Sequence, residues 1–257
     1  MKKRFFVALL AAALAGVAHA QAPAPAPATP KIAISSLVGD ALTVAFYRES
    51  TVTRLSNATE AIKMPGPLLD IALLKVAREA VAKAAPGAEV FPLKVPVAGS
   101  NVDPAMVVGE DNKVVAGNVL VDALRQQGFT HLLIATKYKH NNVIKLADGG
   151  INTGKGQLDG LGFYIDPTIN VENTRTGVRS QGIVAPYLYI QVRLVDLATM
   201  EVRTQGITAN SVAGAAQNKE GTDAWGALTA QEKINAMEAL IKTHVSQAVP
   251  ALFASKP

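Results

Sequence analysis

From Tyr187 to Asp196 the residues alternate strictly. Tyr187, Tyr189, Gln191 and Arg193 fall on one face, and Leu188, Ile190, Val192 and Leu194 on the other. Period two is the pattern of a strand that turns one face into a core. Leu197-Ala-Thr-Met200 supplies a turn, and Glu201 to Ala209 returns as the hairpin partner. Near the start, Lys31 to Val38 is a β-type run followed by the turn signal Gly39-Asp40, and Leu42 to Arg48 reads as a second strand, so the two are predicted to pair as a hairpin. Phe129 to Lys139 is a buried strand, because Leu132-Leu-Ile-Ala135 is apolar on both faces. Glu89 to Val95 is held to an edge by Pro92, which has no N–H for an interior ladder. A Gly- and Asn-rich excursion over 141–160 leads to a short strand, Leu161 to Ile165, and a long connection, Asp166 to Pro186, is expected before the alternating strand.

Helical spacing marks three further segments. Leu69, Ala72, Leu73, Val76 and Ala80 recur on one face of a helix from about 68 to 83, with Pro67 at its start, Asp70 in its first turn and Pro86-Gly87 after its end. A second helix is predicted over Asn112 to Gln127, with Val115, Val119, Ala123 and Gln127 on its inner side, Leu120 and Leu124 beside them, and Gly128 to end it. The third opens at Thr229-Ala-Gln-Glu232, a capping box, turns Ile234, Met237, Ile241, Val245 and Ala248 inward and is closed by Pro250. The order is β-β-α-β-α-β-β-β-β-α. It implies the α/β class, a mixed and mostly open sheet with about three helices packed on it.

Composition adds a destination. Lys2, Lys3 and Arg4 precede an apolar stretch from Phe5 to Val17, too short for a stable span, and Ala18-His19-Ala20 then offers the small residues a signal peptidase needs. A secretory leader over 1–20 is therefore expected, with cleavage between Ala20 and Gln21, export to the periplasm, and no membrane-spanning segment afterwards. Residues 21–30 alternate Pro with small residues and read as an extended tether; 31–253 reads as one α/β domain. The leader carries three cations and no acid, so its removal takes the formal charge from +5 to +2. No dense cationic face remains for nucleic acid. The chain contains no Cys. That excludes disulfides, thiol-ligated metal and a lipid anchor on the mature terminus, and leaves stability to apolar burial.

The stretch Tyr189-Ile-Gln-Val-Arg-Leu-Val-Asp196-Leu-Ala-Thr199-Met-Glu201-Val resembles the hairpin of an envelope-protein superfamily. Its members include the curli-secretion lipoproteins, the activators of penicillin-binding proteins and the amino-terminal domain of the Tol propeller protein. The resemblance spans about a third of the mature chain, mainly the 187–209 hairpin. It implies a sheet-and-helix module used for assembly contacts rather than catalysis. Met200 stands where that pattern has Gly, which puts the turn type in question.

Motifs with chemistry are weak. Gly149-Gly-Ile-Asn-Thr-Gly154-Lys155 matches a phosphate-cradling loop except that Gly156 replaces the Ser or Thr needed for Mg²⁺. Gly39-Asp40-Ala41-Leu42 resembles the first block of GDSL-type esterases, but Ala41 has no oxygen to attack with. His131, His140 and His244 show no metal-ligand spacing, and Asp148, Asn152, Asp159 and Asp166 miss the EF-hand spacing. No catalytic residue, metal site or cofactor is expected. Candidate partner contacts are Arg175 and Arg179 in the expected 166–186 loop, which could meet an acidic partner, and Trp225, the only Trp, as an anchor. The expected role is that of an exported, non-catalytic envelope protein contacting other envelope proteins. A periplasmic small-molecule binder is the alternative, and a hydrolase with an unrecognised site is a third.

Overall fold

The computed structural model describes residues 29–47, 57–93, 107–109, 111–115, 117–145, 151–152, 156–172, 177, 179–210, 214–215 and 224–254. The leader, most of the tether, Asp148 to Gly150, Thr153 to Lys155 and Arg175 lie outside these residues. Among the described residues the architecture is α/β: a ten-stranded mixed sheet, a small two-stranded ribbon and three α-helices.

The organising element is β10, Arg179–Asp196, eighteen residues long. Along one edge it pairs antiparallel first with β9 (Gln157–Glu172) and then with β5 (His131–Lys137). Its opposite edge carries β11 (Val202–Asn210) and β12 (Gly214–Ala215), since the same β10 residues pair on both sides. The sheet therefore forks. One arm continues from β9 to β2 (Ala41–Phe46) and β3 (Ala58–Lys63), the other from β5 to β1 (Lys31–Leu37) and β4 (Glu89–Pro92).

This topology corrects the first expected hairpin. β1 lies between β5 and β4, parallel to both, and does not pair with β2, which is parallel to β9. The reason is burial on both faces: Ile32 and Ile34 join one apolar cluster and Ala33 another, so β1 is an interior strand and needs two neighbours. Gly39, at φ +83°, redirects the chain into the other arm instead of folding it back.

The expected 166–186 loop is likewise absent. β9 runs to Glu172 and β10 starts at Arg179, so most of that segment is an antiparallel pair with a shift in register between Gln181 and Ile183. Pro167, Gly182 and Pro186 disguise two strands as a connection, because backbone pairing across the hairpin outweighs the local breakers.

Helices α1 (Leu68–Ala84) and α3 (Ala230–Phe253) pack together on one sheet face, over Ile34, Phe163, Leu188, Ile190 and Val192. The capping box forms as predicted: Thr229 Oγ1 accepts from Glu232 N at 3.3 Å, and Glu232 Oε2 accepts from Thr229 N at 2.8 Å. Ile234, expected inside, is 42% exposed, and Pro250 sits within the helix. A proline there gives up one helical bond without ending the helix when only a turn remains.

Helix α2 is shorter than its periodicity suggests, Val119–Gln126, and lies on the other sheet face. Gly117 at φ +71° and Asn118, whose side chain accepts from Val121 N at 3.1 Å, start it late. Its inner side is Val121 and Leu124, while Val119 is 82% exposed. Among the described residues no helix is long and apolar enough to cross a membrane.

Candidate functional site

On the face of β10 away from α1 and α3, the alternation expected from the sequence is realised, and neighbouring strands complete it. Gln191 is opposite Thr136 of β5, and Arg193 is flanked by Ile134 and by Thr204 of β11. Tyr138, just after β5, donates its N–H to Tyr189 O at 3.0 Å and lays its ring toward Gly206 of β11. The result is a polar and aromatic stripe of Thr136, Tyr138, Tyr187, Tyr189, Gln191, Arg193, Thr204 and Thr208. At one end it meets the apolar cluster under α2, and at the other the cluster of Leu158, Tyr164 and Ala185.

The two tyrosines of β10 are buried and internally satisfied. Tyr187 Oη donates toward the backbone oxygens of Thr43 at 3.3 Å and Asp159 at 3.4 Å. Tyr189 Oη accepts from Val143 N at 3.2 Å and donates to Asn141 O at 3.4 Å. Burial raises the pKa of both phenols above the ordinary tyrosine value. Asn210 fastens the same corner, donating through Nδ2 to Val143 O and to Asn142 Oδ1. Asn142 is fully buried and donates its N–H to Gly156 O at 2.9 Å.

Arg193 differs in kind. It is half-buried; Nη1 donates to Thr136 Oγ1 at 3.1 Å and Nη2 donates to Gln191 Oε1, while Nε is buried without a partner. No carboxylate among the described residues pairs with it. Loss of solvent lowers its pKa from the ordinary arginine value.

Acids near the stripe are committed elsewhere. Asp196 holds the β10–β11 turn, accepting at Oδ1 from Ala198 N at 2.8 Å and Thr199 N at 3.0 Å, and these bonds pull its pKa down. Asp166 accepts from Tyr164 Oη at 3.0 Å and from Thr168 N at 2.9 Å. His131 bonds Thr130 Oγ1 at 2.9 Å, and burial holds its pKa below the ordinary histidine value. Among the described residues no group of three potential metal ligands gathers. A void between α1 and the sheet, lined by Ser35, Ser36, Leu73 and Val245, measures about 10 Å³, room for one water at most.

Of the residues singled out as contacts, Trp225 is the one whose side chain is described, and it lies away from the stripe. Arg175 is outside the described residues, and Arg179 opens β10 opposite Glu172. Trp225, in a short 3-10 turn over 224–227, lies on the α3 side of the sheet, edge-on to Phe163 at 5.3 Å, with Lys233 Nζ 3.7 Å from its ring centre. Sequence reasoning placed Arg193 and Gln191 on one face but missed Thr136, Tyr138 and Thr204. Nothing within one segment marks them, because register between strands brings them together.

No protein-family profile matches the chain, and neither does any curated protein sequence. Solved structures give distant likenesses. A PelC dodecamer from Paraburkholderia phytofirmans is 9% identical, over 88% of this chain and 90% of that one, with a TM-score of 0.32. A DUF330 protein from Xanthomonas campestris is 11% identical, over 89% and 86%, at 0.35. A homologue of the neuraminyllactose-binding hemagglutinin from Helicobacter pylori is 10% identical, over 85% and 84%, at 0.34.

Proposed function

We propose that this chain is an exported, non-catalytic protein of the periplasm that acts through contacts with other envelope proteins. In this reading residues 1–20 are the leader, 21–30 the tether and 31–253 the working domain. The observation that carries it is the stripe around Arg193. A guanidinium fixed in place by two neutral acceptors, beside an apolar cluster, is recognition chemistry. Acid–base chemistry at neutral pH wants groups poised near pH 7. The stripe's phenols are moved away from that value by burial, which supports a contact role over a reaction.

The test places a photoreactive residue at Thr204 or Thr208, which stand opposite Arg193 and Tyr189 on the stripe side of β11, half-buried and exposed respectively. A control goes at Ile71, exposed on α1. Crosslinking in intact cells should give one defined adduct with an exported protein from β11 and none from α1. The isolated mature chain should begin at Gln21. Uncleaved chain in the cytosol, or identical adducts from both faces, overturns the reading.

A further inference from the structure

The guanidinium of Arg193 has five N–H donors, and among the described residues only two of them are used, by Thr136 Oγ1 and Gln191 Oε1. Both acceptors are neutral. They orient the plane of the group, and no carboxylate among the described residues compensates its charge. Taking a charge partly out of water without a counter-charge is costly, and this one sits on the longest strand of the sheet. The cross-strand neighbours, Ile134 and Thr204, carry no charge, and Thr204 is itself bonded to Asn112 Oδ1 at 3.1 Å. Asp196 and Asp166, toward the two ends of the stripe, are satisfied by their own turns.

We propose that Arg193 anchors a binding site for one carboxylate, contributed by an acidic side chain of the partner protein, with Thr136 and Gln191 as positioning residues. A carboxylate matches the planar donor fork, and arginine binds it in preference to lysine for that reason. Among the stripe residues Arg193 alone carries a full charge, so a monoanion balances the site where a phosphate dianion would not. Tyr138 and Val114 border it with half-buried neutral side chains, Val107 and Val108 being buried beneath, which suits an acidic residue flanked by apolar ones. The inference rests on the protein-contact reading above.

The experiment follows the arginine Nε–H resonances of the purified protein by NMR. It is titrated with sodium acetate, with sodium chloride at equal ionic strength, and with a blocked Val-Asp-Val tripeptide and its Asn counterpart. The Arg193 signal, identified by its loss in Arg193→Lys, should move saturably with acetate and with the Asp peptide, and not with chloride or the Asn peptide. Tighter binding of the peptide than of acetate marks a protein segment as the source, whereas equal binding marks any free carboxylate and overturns the partner side chain as the occupant. Read from the backbone amide shifts at Thr136 and Thr204, positions whose amides every variant retains, Arg193→Lys should weaken acetate binding at least about tenfold. Thr136→Val keeps the charge and frees the guanidinium, and should weaken it by about the same factor, which answers any objection that the first variant misfolds. No saturable movement, or equal movement with chloride, overturns the site. Crosslinking from Thr204 decides the protein-contact reading separately: an adduct that persists in Arg193→Lys leaves that reading standing while the carboxylate site falls.

Discussion

Met200 is an L-residue with a left-handed backbone, φ +61°, at the close of the β10–β11 turn. Its N–H donates to Asp196 O at 2.8 Å, and Asp196 N donates to Glu201 O at 2.9 Å, so the turn is tied shut and the backbone angle is imposed on the residue. A side chain in that region costs roughly 1–2 kcal/mol. The half-buried Met side chain recovers part of this by packing against the apolar cluster under α2. Two substitutions separate the terms. Met200→Ala discards the packing and keeps a Cβ in the strained position. Met200→Gly discards the packing and the Cβ together, at an added cost of about 0.4–1 kcal/mol from the freer unfolded chain. Subtracting that cost from the relieved strain leaves the Gly variant about 0.8 kcal/mol, and at most about 1.6 kcal/mol, more stable than the Ala variant, the reverse of the order in ordinary helix or strand. Urea unfolding of the pair, with equal slopes against denaturant, reads the difference directly. An Ala variant as stable as the Gly variant, or more so, refutes the claim that the turn holds Met200 under strain.

Two further outcomes follow from the packing. Asp70 is buried at the start of α1, accepts from Ser36 Oγ at 2.5 Å and Val38 N at 3.2 Å, and has its pKa raised chiefly by loss of solvent. Between the ordinary aspartate pKa and this raised value the folded chain holds the proton better than the unfolded one, so Asp70 makes stability fall as pH rises through that window. Asp70→Asn should remove that component, and a stability–pH difference between variant and parent that is flat there would refute it. Gly162 faces Thr43 of β2 so closely that an added Cβ would sit 1.7 Å from the Thr43 carbonyl oxygen and 2.8 Å from Tyr187 Oη. Gly162→Ala must therefore part β2 from β9 and should cost more than about 3 kcal/mol; a loss under about 1 kcal/mol, measured by chemical denaturation, would contradict the pairing.

Much of the fold was legible in local pattern where one segment carries its own reason. The capping box at Thr229, the alternation of Tyr187 to Leu194 and the left-handed Gly128 after α2 are local devices, and each is where the residues put it. Pairing was legible only where strands adjoin through a short turn. β10 and β11 meet across five residues, and their register needs no information from elsewhere. β1 and β2 are as close in sequence, yet Ile32, Ala33 and Ile34 bury both faces of β1 and draw it between two distant strands. Adjacency predicts pairing only when one edge is free to accept the neighbour. α2 failed for a different reason: Val115 and Val119 continue its periodicity, but Gly117 and Asn118 provide a better place to start a helix than the apolar spacing provides to extend it.

The same distinction explains why the stripe was half visible. An arginine among alternating tyrosines and glutamine reads, from sequence, as the solvent side of a strand, where its charge would be hydrated and of little consequence. β5 and β11 on either side and Tyr138 across Gly206 turn that side into a partly closed surface. Enclosure changes what the residues can do. A hydrated arginine attracts any anion weakly, whereas one held at Thr136 and Gln191, with its Nε shut away from water, favours a single flat anion in a single orientation. What makes Arg193 a candidate anchor is thus the pair of strands that flank it, Ile134 on one side and Thr204 on the other, residues separated from it by 59 and 11 positions along the chain.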